Sequence, residues 1–353
     1  MKWPKDISCD LLIIGAGASG LICAITAATR DKKVVIIDHS KAVGQKMLVS
    51  GGGRCNFTNL NISASNYFSS DDSFCTETLK KFPPEKIISF FRRQGVDYFE
   101  KEDGQLFCKG SARQVTVAFL KECRKQKVDI HLKTFPKKVT LRDEVFEVET
   151  DDGKFRSKKL VIATGGLSYP KLGATEFGYK IARQFGLKVT KLRPALTPLN
   201  LGKEFRRVFG NLSGVLTKVR LTVAGRMVTG EMLFTHTGLS GPAILNASLF
   251  WNEGEVIKIE FIADKKPQRL SRVLKGLGNL NEIEIVPESL AGFNVAEVTR
   301  GGVDPKELNK ETLEAKEVPN LYFIGEVIDV TGFLGGYNLH WAWASGYSVG
   351  MVV

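Results

Sequence analysis

The chain has 353 residues, 43% hydrophobic and 25% charged, with 50 Lys and Arg against 38 Asp and Glu for a formal charge of +12. That length exceeds one ordinary core and suits a large domain carrying an insert, and the composition is that of a soluble globular protein. Six scattered cysteines without a C-x-x-C and four histidines without a metal-like pair argue against a disulfide scaffold and a zinc site, so no metal is expected and a reducing cytoplasm is the natural compartment.

The first predicted element is an apolar strand, Asp10-Leu11-Leu12-Ile13-Ile14, running into Gly15-Ala16-Gly17-Ala18-Ser19-Gly20 and an amphipathic stretch. A second apolar run, Val34–Ile37, ends in Asp38. The order is strand, G-x-G-x-x-G, helix, strand, acid, and each part has a task in holding a dinucleotide. Gly15 allows the tight turn, Gly17 lets the backbone approach a pyrophosphate, and Gly20 lets helix and sheet pack closely. The pyrophosphate would meet the free N–H groups and positive dipole end of the helix. Asp38 falls where a carboxylate accepts from a ribose diol and repels a 2′-phosphate, which favours FAD or NAD over NADP. A signal peptide or membrane span over 11–28 is rejected, because three glycines and several small polar residues interrupt the run.

Next comes Gly44–Asn59, dense in Gly, Ser, Asn and Thr, with Lys46, Gly52, Gly53, Arg54 and Cys55. It makes poor core and reads as a loop whose donors close over the cofactor. Residues 76–94 and 111–127 have the three- and four-residue apolar spacing of helices, as in Ile87, Phe90 and Phe91. Strands are predicted at 130–132, 145–148 and 160–162, the last running into Ala163-Thr164-Gly165, whose small residues let backbone meet a flat ligand.

Beyond Gly186 a proline-punctuated linker, Arg193–Leu199, opens a region of short strands at 219–223, 230–234, 256–262 and 282–286. Gly241-Pro242 reads as a helix start. A short basic helical segment is expected over about 265–279. The expected organisation is a first part at 1–192, an inserted mainly β substrate or cap domain at 193–318, and a return at 319–353. The return holds a final buried strand, Leu321–Ile324, then Gly325, Glu326 and Asp329, and a second glycine-rich strand-to-helix junction at Gly335-Gly336-Tyr337-Asn338-Leu339. This places another positive helix end against the ligand. The fold class is therefore α/β, a Rossmann-type parallel sheet with an inserted mainly β domain and a reduced helical segment.

Taken together, Gly15–Gly20, Ser50–Asn56 with Thr58 and Asn59, Thr164–Gly173, Phe234–Pro242, Thr299–Val303, Gly325–Asp329 and Gly335–Leu339 form a pattern. The chain resembles the BaiN-like (YhiN-like) family of bacterial FAD-binding proteins, of the glutathione-reductase-like two-domain flavoprotein fold. The resemblance implies that the N-terminal motif holds the adenosine and pyrophosphate of FAD, that Gly325–Asp329 meets the ribityl and phosphate region, and that the Gly335–Leu339 helix start faces the flavin pyrimidine. A helix N-terminus there would favour the negative charge of reduced flavin. Two departures stand out: Asp38 replaces the glutamate usual in this pattern, and the helical subdomain of the family's insert is reduced to about 265–279.

The activity this implies is an FAD-dependent oxidoreductase acting on a small organic substrate, by amine oxidation or ene- or carbonyl-type reduction, with NAD(P)H as a transient electron donor. Two other classes remain open: an FAD-dependent tRNA-modifying protein, to which the charge of +12 is suited, and a flavin-binding sensor with little turnover. Candidate reactive groups are Cys55 beside Arg54, His236, Tyr337 and His340, each with a packing role as its alternative.

Overall fold

The first strand, β1 (Asp6–Ile14), alternates in exposure over its first half and is wholly buried over Leu11–Ile14, as expected of a parallel strand covered on both faces. The protein is described here by a computed structural model over residues 6–262, 266–278 and 280–353. Two compact units are present, one holding the chain up to Leu192 together with Gly301–Val353, the other Arg193–Arg300.

The first unit continues through α1 (Ala18–Ala28), β2 (Val34–Asp38), α2 (Gln45–Gly53), β3 (Asn56–Asn59), β4 (Tyr67–Ser69), α3 (Thr76–Lys81), α4 (Pro84–Arg93), β5 (Tyr98–Glu100) and β6 (Gln105–Cys108). It then forms α5 (Arg113–Lys125), β7 (Asp129–Leu132), β8 (Pro136–Arg142), β9 (Val145–Thr150), β10 (Lys154–Ile162) and α6 (Phe177–Gln184). The main sheet runs β7-β2-β1-β10-β9-β8. Its first four strands are parallel, with Ile14 opposite both Ile37 and Ile162, whereas β8 and β9 form an antiparallel hairpin. Leu11, Leu12 and Ile13 are essentially inaccessible, each contributing about 1.5 to 3 kcal/mol by burial.

The second unit contains β11 (Arg193–Ala195), β12 (Leu199–Asn200), α7 (Lys203–Phe209), β13 (Leu216–Val223), β14 (Arg226–Phe234), β15 (Gly238–Ser240) and α8 (Pro242–Ala247). It closes with β16 (Ile257–Phe261), α9 (Gln268–Gly276), β17 (Glu282–Ile285), β18 (Ser289–Leu290) and β19 (Val298–Arg300). An antiparallel sheet ordered β17-β16-β13-β14-β15-β12-β18 dominates it, and α8 starts at Pro242 as proline at a first turn allows. The reduced helical segment is α9; residues 265 and 279, at the ends of the expected span, lie outside the described residues.

The chain then returns to the first unit through β20 (Leu321–Phe323), β21 (Val330–Gly332) and α10 (Tyr337–Gly350). β20 adds to the C-terminal half of β10 in parallel, while β9 takes the N-terminal half. The helix α10 lies on α1 through small residues: a Cβ at Gly346 would collide with the Ser19 carbonyl, and one at Gly350 would press on Thr26.

Three expectations change. The return starts at Gly301 rather than 319, because Val303 bridges Val189 and Ile328, and Leu308 and Leu313 are buried in the first unit's core. The span 76–94 is two helices, broken at Phe82-Pro83 where proline lacks a donor and crowds the preceding turn. The Gly44–Asn59 segment is no uniform loop, since it forms α2 and β3.

Candidate functional site

Gly15 turns off β1 at φ +120, and a Cβ there would collide with the Ala163 carbonyl at the end of β10. A Cβ at Gly20 would collide with the Gly15 carbonyl. Both glycines are therefore demanded by the protein's own backbone. Gly17 is different: its φ is −82 and a Cβ would meet nothing within 4 Å. This glycine is not needed for internal packing and leaves open space in front of α1. The helix carries no side-chain cap, so its first-turn N–H groups and dipole face that space, a ready site for an anion. Nearby the buried Thr164 hydroxyl makes no hydrogen bond within the protein, and Gly165 likewise has open space where a Cβ would project.

Asp38 closes the other side of the turn. One carboxylate oxygen accepts from the Ala16 N–H at 2.6 Å and the other from the Ser40 N–H at 2.7 Å. It staples the glycine turn to the end of β2, a structural duty the sequence reading did not assign. Carboxylate oxygens have further lone pairs, so ribose binding remains compatible.

The end of α2 is kinked. Ser50 is extended, then Gly51, Gly52 and Gly53 have φ of 57, 64 and 82. Consecutive left-handed residues are what glycine permits, and a Cβ at Gly52 would meet nothing within 4 Å. The segment is pinned by Ala112 N–H on the Gly53 carbonyl at 2.8 Å and Cys108 N–H on the Arg54 carbonyl at 2.9 Å. Cys55 follows at φ 49, fully buried. Its thiol hydrogen-bonds to Cys108, and that bond with burial pushes its pKa well above the ordinary thiol value. The exposed Arg54 does not make it a thiolate, so Cys55 packs as a neutral thiol. At the start of α2, Lys46 pairs with Glu326 at 2.6 Å and lies 5.7 Å over the Tyr169 ring.

At the far junction Gly325, φ 75, donates its N–H to Ser345 and accepts from the Trp341 indole, while a Cβ there would press on Ser19. Asp329 is buried, and its N–H donates to the Val303 carbonyl at 3.0 Å. Gly335 and Gly336 have φ of 126 and 95. The buried Asn59 amide donates to the Gly335 carbonyl at 3.0 Å. Asn338 folds the turn on itself, accepting from the Gly332 N–H at 2.9 Å and donating to the Gly332 carbonyl at 2.8 Å. Leu339 is half-buried. Tyr337 is nearly buried, its carbonyl accepts from the Tyr67 hydroxyl, and burial raises its phenol pKa.

His340 is fully buried: Nε2 donates to the Phe82 carbonyl at 2.9 Å, which leaves Nδ1 to accept from the Thr58 hydroxyl at 2.8 Å. Burial lowers its pKa to about 4. These two contacts give it a structural task, holding α10 to β3 and to the residue before Pro83. His236 belongs to the second unit, on an exposed turn between β14 and β15.

The first unit thus brings together Gly15–Gly20, Asp38, Ala163–Gly165, the Gly51–Gly53 kink and the Gly325–Leu339 junction. Contacts missed from sequence are the Lys46–Glu326–Tyr169 group and the Thr58 and Asn59 buttresses; the Thr58-Asn59 signal was in the motif without a role. Among the described residues no group of His, Cys, Asp and Glu is set to hold a metal ion, and no helix is long and apolar enough to cross a membrane.

A family model described as HI0933-like protein Rossmann domain matches residues 9–352. The chain is 39% identical to the ribosomal RNA dihydrouridine synthase of Escherichia coli (strain K12), over 96% of this chain and 96% of that protein. That alignment spans 385 residues, more than this chain contains, so the relative carries segments this chain lacks. It is also 29% identical to the 3-dehydro-bile acid delta(4,6)-reductase of Clostridium scindens, over 96% of this chain and 97% of that protein. Among solved structures, a 3-ketosteroid-delta4-(5alpha)-dehydrogenase from Rhodococcus jostii RHA1 is similar in fold, with a TM-score of 0.55 at 12% identity over 98% of this chain and 96% of that one.

Proposed function

The chain belongs to the HI0933-like Rossmann-domain family of FAD-dependent oxidoreductases, and from that premise we propose that it reduces an uracil C5=C6 bond in ribosomal RNA. The observation that carries this reading is the 39% identity along 96% of both chains to a protein named for making dihydrouridine in ribosomal RNA, against 29% to the steroid reductase. Both names describe the same chemistry, since the uracil double bond and a 3-oxo-4,6-diene are alkenes conjugated with a carbonyl. The net charge of +12 suits a polyanionic substrate.

The residues fit the cofactor. Open space at Gly17, Gly52 and Gly165, the unpartnered Thr164 hydroxyl and the uncapped α1 form a cradle for a phosphate-bearing group. In this reading Gly15–Gly20 would hold the pyrophosphate, Asp38 the adenosine ribose, and Lys46, Glu326 and Asp329 the ribityl region. FAD held by these residues would supply the hydride chemistry that reduction of a conjugated alkene needs, with solvent as the source of the proton. The start of α10 stabilises negative charge near its N–H groups. Cys55 and His340, buried and engaged, keep the frame in place rather than move protons. In this reading NADH or NADPH would be the transient electron donor.

The test uses purified protein with an unmodified ribosomal RNA transcript and NADH or NADPH under anaerobic conditions. Flavin absorbance, release of FAD on denaturation and a 2 Da gain on one uridine by mass spectrometry are expected. A protein that takes up no FAD overturns the cofactor assignment. A flavoprotein that reduces a steroid enone and leaves the RNA unchanged overturns the substrate.

A further inference from the structure

We infer that the face formed by α4 and α5, together with the Arg54–Phe99–Phe107 stack, is the surface on which the RNA substrate lies; this rests on the ribosomal RNA reading above. The two helices pack side by side, with Phe90 and Phe119 rings 4.8 Å apart and Gln94 bonded to Glu122 at 2.9 Å. Arg93 on α4 and Arg113, Lys121 and Arg124 on α5 are exposed, and none has an ion-pair partner among the described residues. Glu122, the acid of α5, is turned inward, its two oxygens taken by Gln94 and Gln126.

The sheet edge provides the contrast. There Lys154 pairs with Glu147, Arg156 with Glu147 and Asp6, and Lys137 with Asp151. There Lys137, Lys154 and Arg156 are neutralised within the protein; on α5 Lys125 pairs with Glu122 at 3.7 Å, whereas Arg113, Lys121 and Arg124 have no ion-pair partner among the described residues. Helix-dipole compensation accounts for Arg124, in the last turn. It does not account for Lys121, and Arg113 opens α5 at the positive end, where a cation is unfavourable. Arg113, Lys121 and Arg124 recur at helical spacing along one stripe of about 16 Å.

The stripe leads to the cofactor segment. The residue before Arg113, Ala112, donates to the Gly53 carbonyl at 2.8 Å. Against the same glycines, the Phe107 ring would touch a Cβ at Gly51. Phe107 is stacked on Phe99 at 5.7 Å and 21°, and the exposed Arg54 guanidinium lies 6.0 Å from the Phe99 ring. Both phenylalanines are half-buried. An arginine plane over an aromatic pair is what an unstacked base uses, and a line of free cations is what a phosphate backbone uses. An anionic membrane fits less well, because the apolar stripe of α5 is spent on the core and of its large apolar residues Val117, at 54%, is the exposed one.

The experiment compares wild-type holoenzyme with the triple variant Arg113→Gln, Lys121→Gln, Arg124→Gln, with Lys137→Gln, Lys154→Gln as a control. Binding to an unmodified ribosomal RNA transcript is measured across a salt series. The triple variant should bind about tenfold or more weakly near physiological salt, with a log–log salt slope shallower by about 2 to 3. FAD content, melting temperature and reduction by NAD(P)H should match wild type, and the control should keep the wild-type slope. Phe99→Leu should keep the slope yet lower dihydrouridine yield at least about fivefold. Bound RNA with an unchanged slope in the triple variant overturns this surface while leaving the substrate reading intact. Wild-type protein that binds no RNA, or binds only phosphatidylglycerol vesicles, overturns both.

Discussion

At the chain's first strand-to-helix junction the glycines are set by neighbouring backbone, Gly15 against the Ala163 carbonyl and Gly20 against Gly15 itself. At its last junction the turn is held by side chains from afar, with Asn59 on the Gly335 carbonyl, Thr58 on His340 and the Trp343 indole on the Phe57 carbonyl. Both junctions end with a helix N-terminus free of a side-chain cap, so they offer a ligand the same dipole. Their difference lies in what fixes them. The first needs six consecutive residues and the ends of two strands, β10 at Ala163 and β2 at Asp38, whereas the last needs β3, the chain at Phe82 and its own Asn338.

The largest expected effect would break both junctions together. They meet where α1 lies on α10, and the Cβ of any residue at Gly346 would collide with the Ser19 carbonyl. Gly346→Leu should therefore cost at least about 3 kcal/mol and abolish FAD retention along with cooperative unfolding. Urea unfolding followed by circular dichroism checks it; a wild-type midpoint would mean that the two helices do not need this contact.

A smaller and more selective change separates the ligand-facing glycine from the structural ones. Gly17 has open space and an ordinary φ, so Gly17→Val should leave the apoprotein within about 1 kcal/mol of wild type. FAD binding should weaken at least about 100-fold, since the side chain occupies the space in front of α1 and close backbone approach is lost. Fluorescence titration of the apoprotein reads this directly, and wild-type affinity would move the pyrophosphate elsewhere.

The same contrast explains what could be read from the sequence. The first junction was legible, down to Asp38, because its constraints repeat within one short stretch. The insert's strands were legible by alternation, as at Val219–Val223 within β13 and Glu282–Val286 around β17. The return at Gly301 was not, because Val303 pairs with Val189 and Ile328, partners that no local pattern reveals. Nor were the Asp38 staple on Ala16 or the burial of His340, since a polar residue's partners are set by tertiary packing. Four histidines in a basic chain invite a catalytic reading; in this fold His340 is consumed by two internal bonds.

That buried histidine gives the last junction a pH dependence of its own. Its pKa falls from 6.5 to about 4 through burial, opposed in part by the bond to the Phe82 carbonyl. Above pH 6.5 the imidazole is neutral folded and unfolded, and the stability gained by keeping it neutral is complete. Between pH 6.5 and 4 the unfolded chain binds a proton that the folded chain refuses, so this stability is lost as pH falls, by roughly 3 kcal/mol in all. His340→Gln keeps a donor for Phe82 and an acceptor for Thr58 without titrating. From pH 7 to 4.5 the variant should therefore lose about 2 to 3 kcal/mol less than wild type in urea unfolding, while Gly17→Val keeps the wild-type profile. Parallel profiles for wild type and His340→Gln would place the acid sensitivity outside this junction.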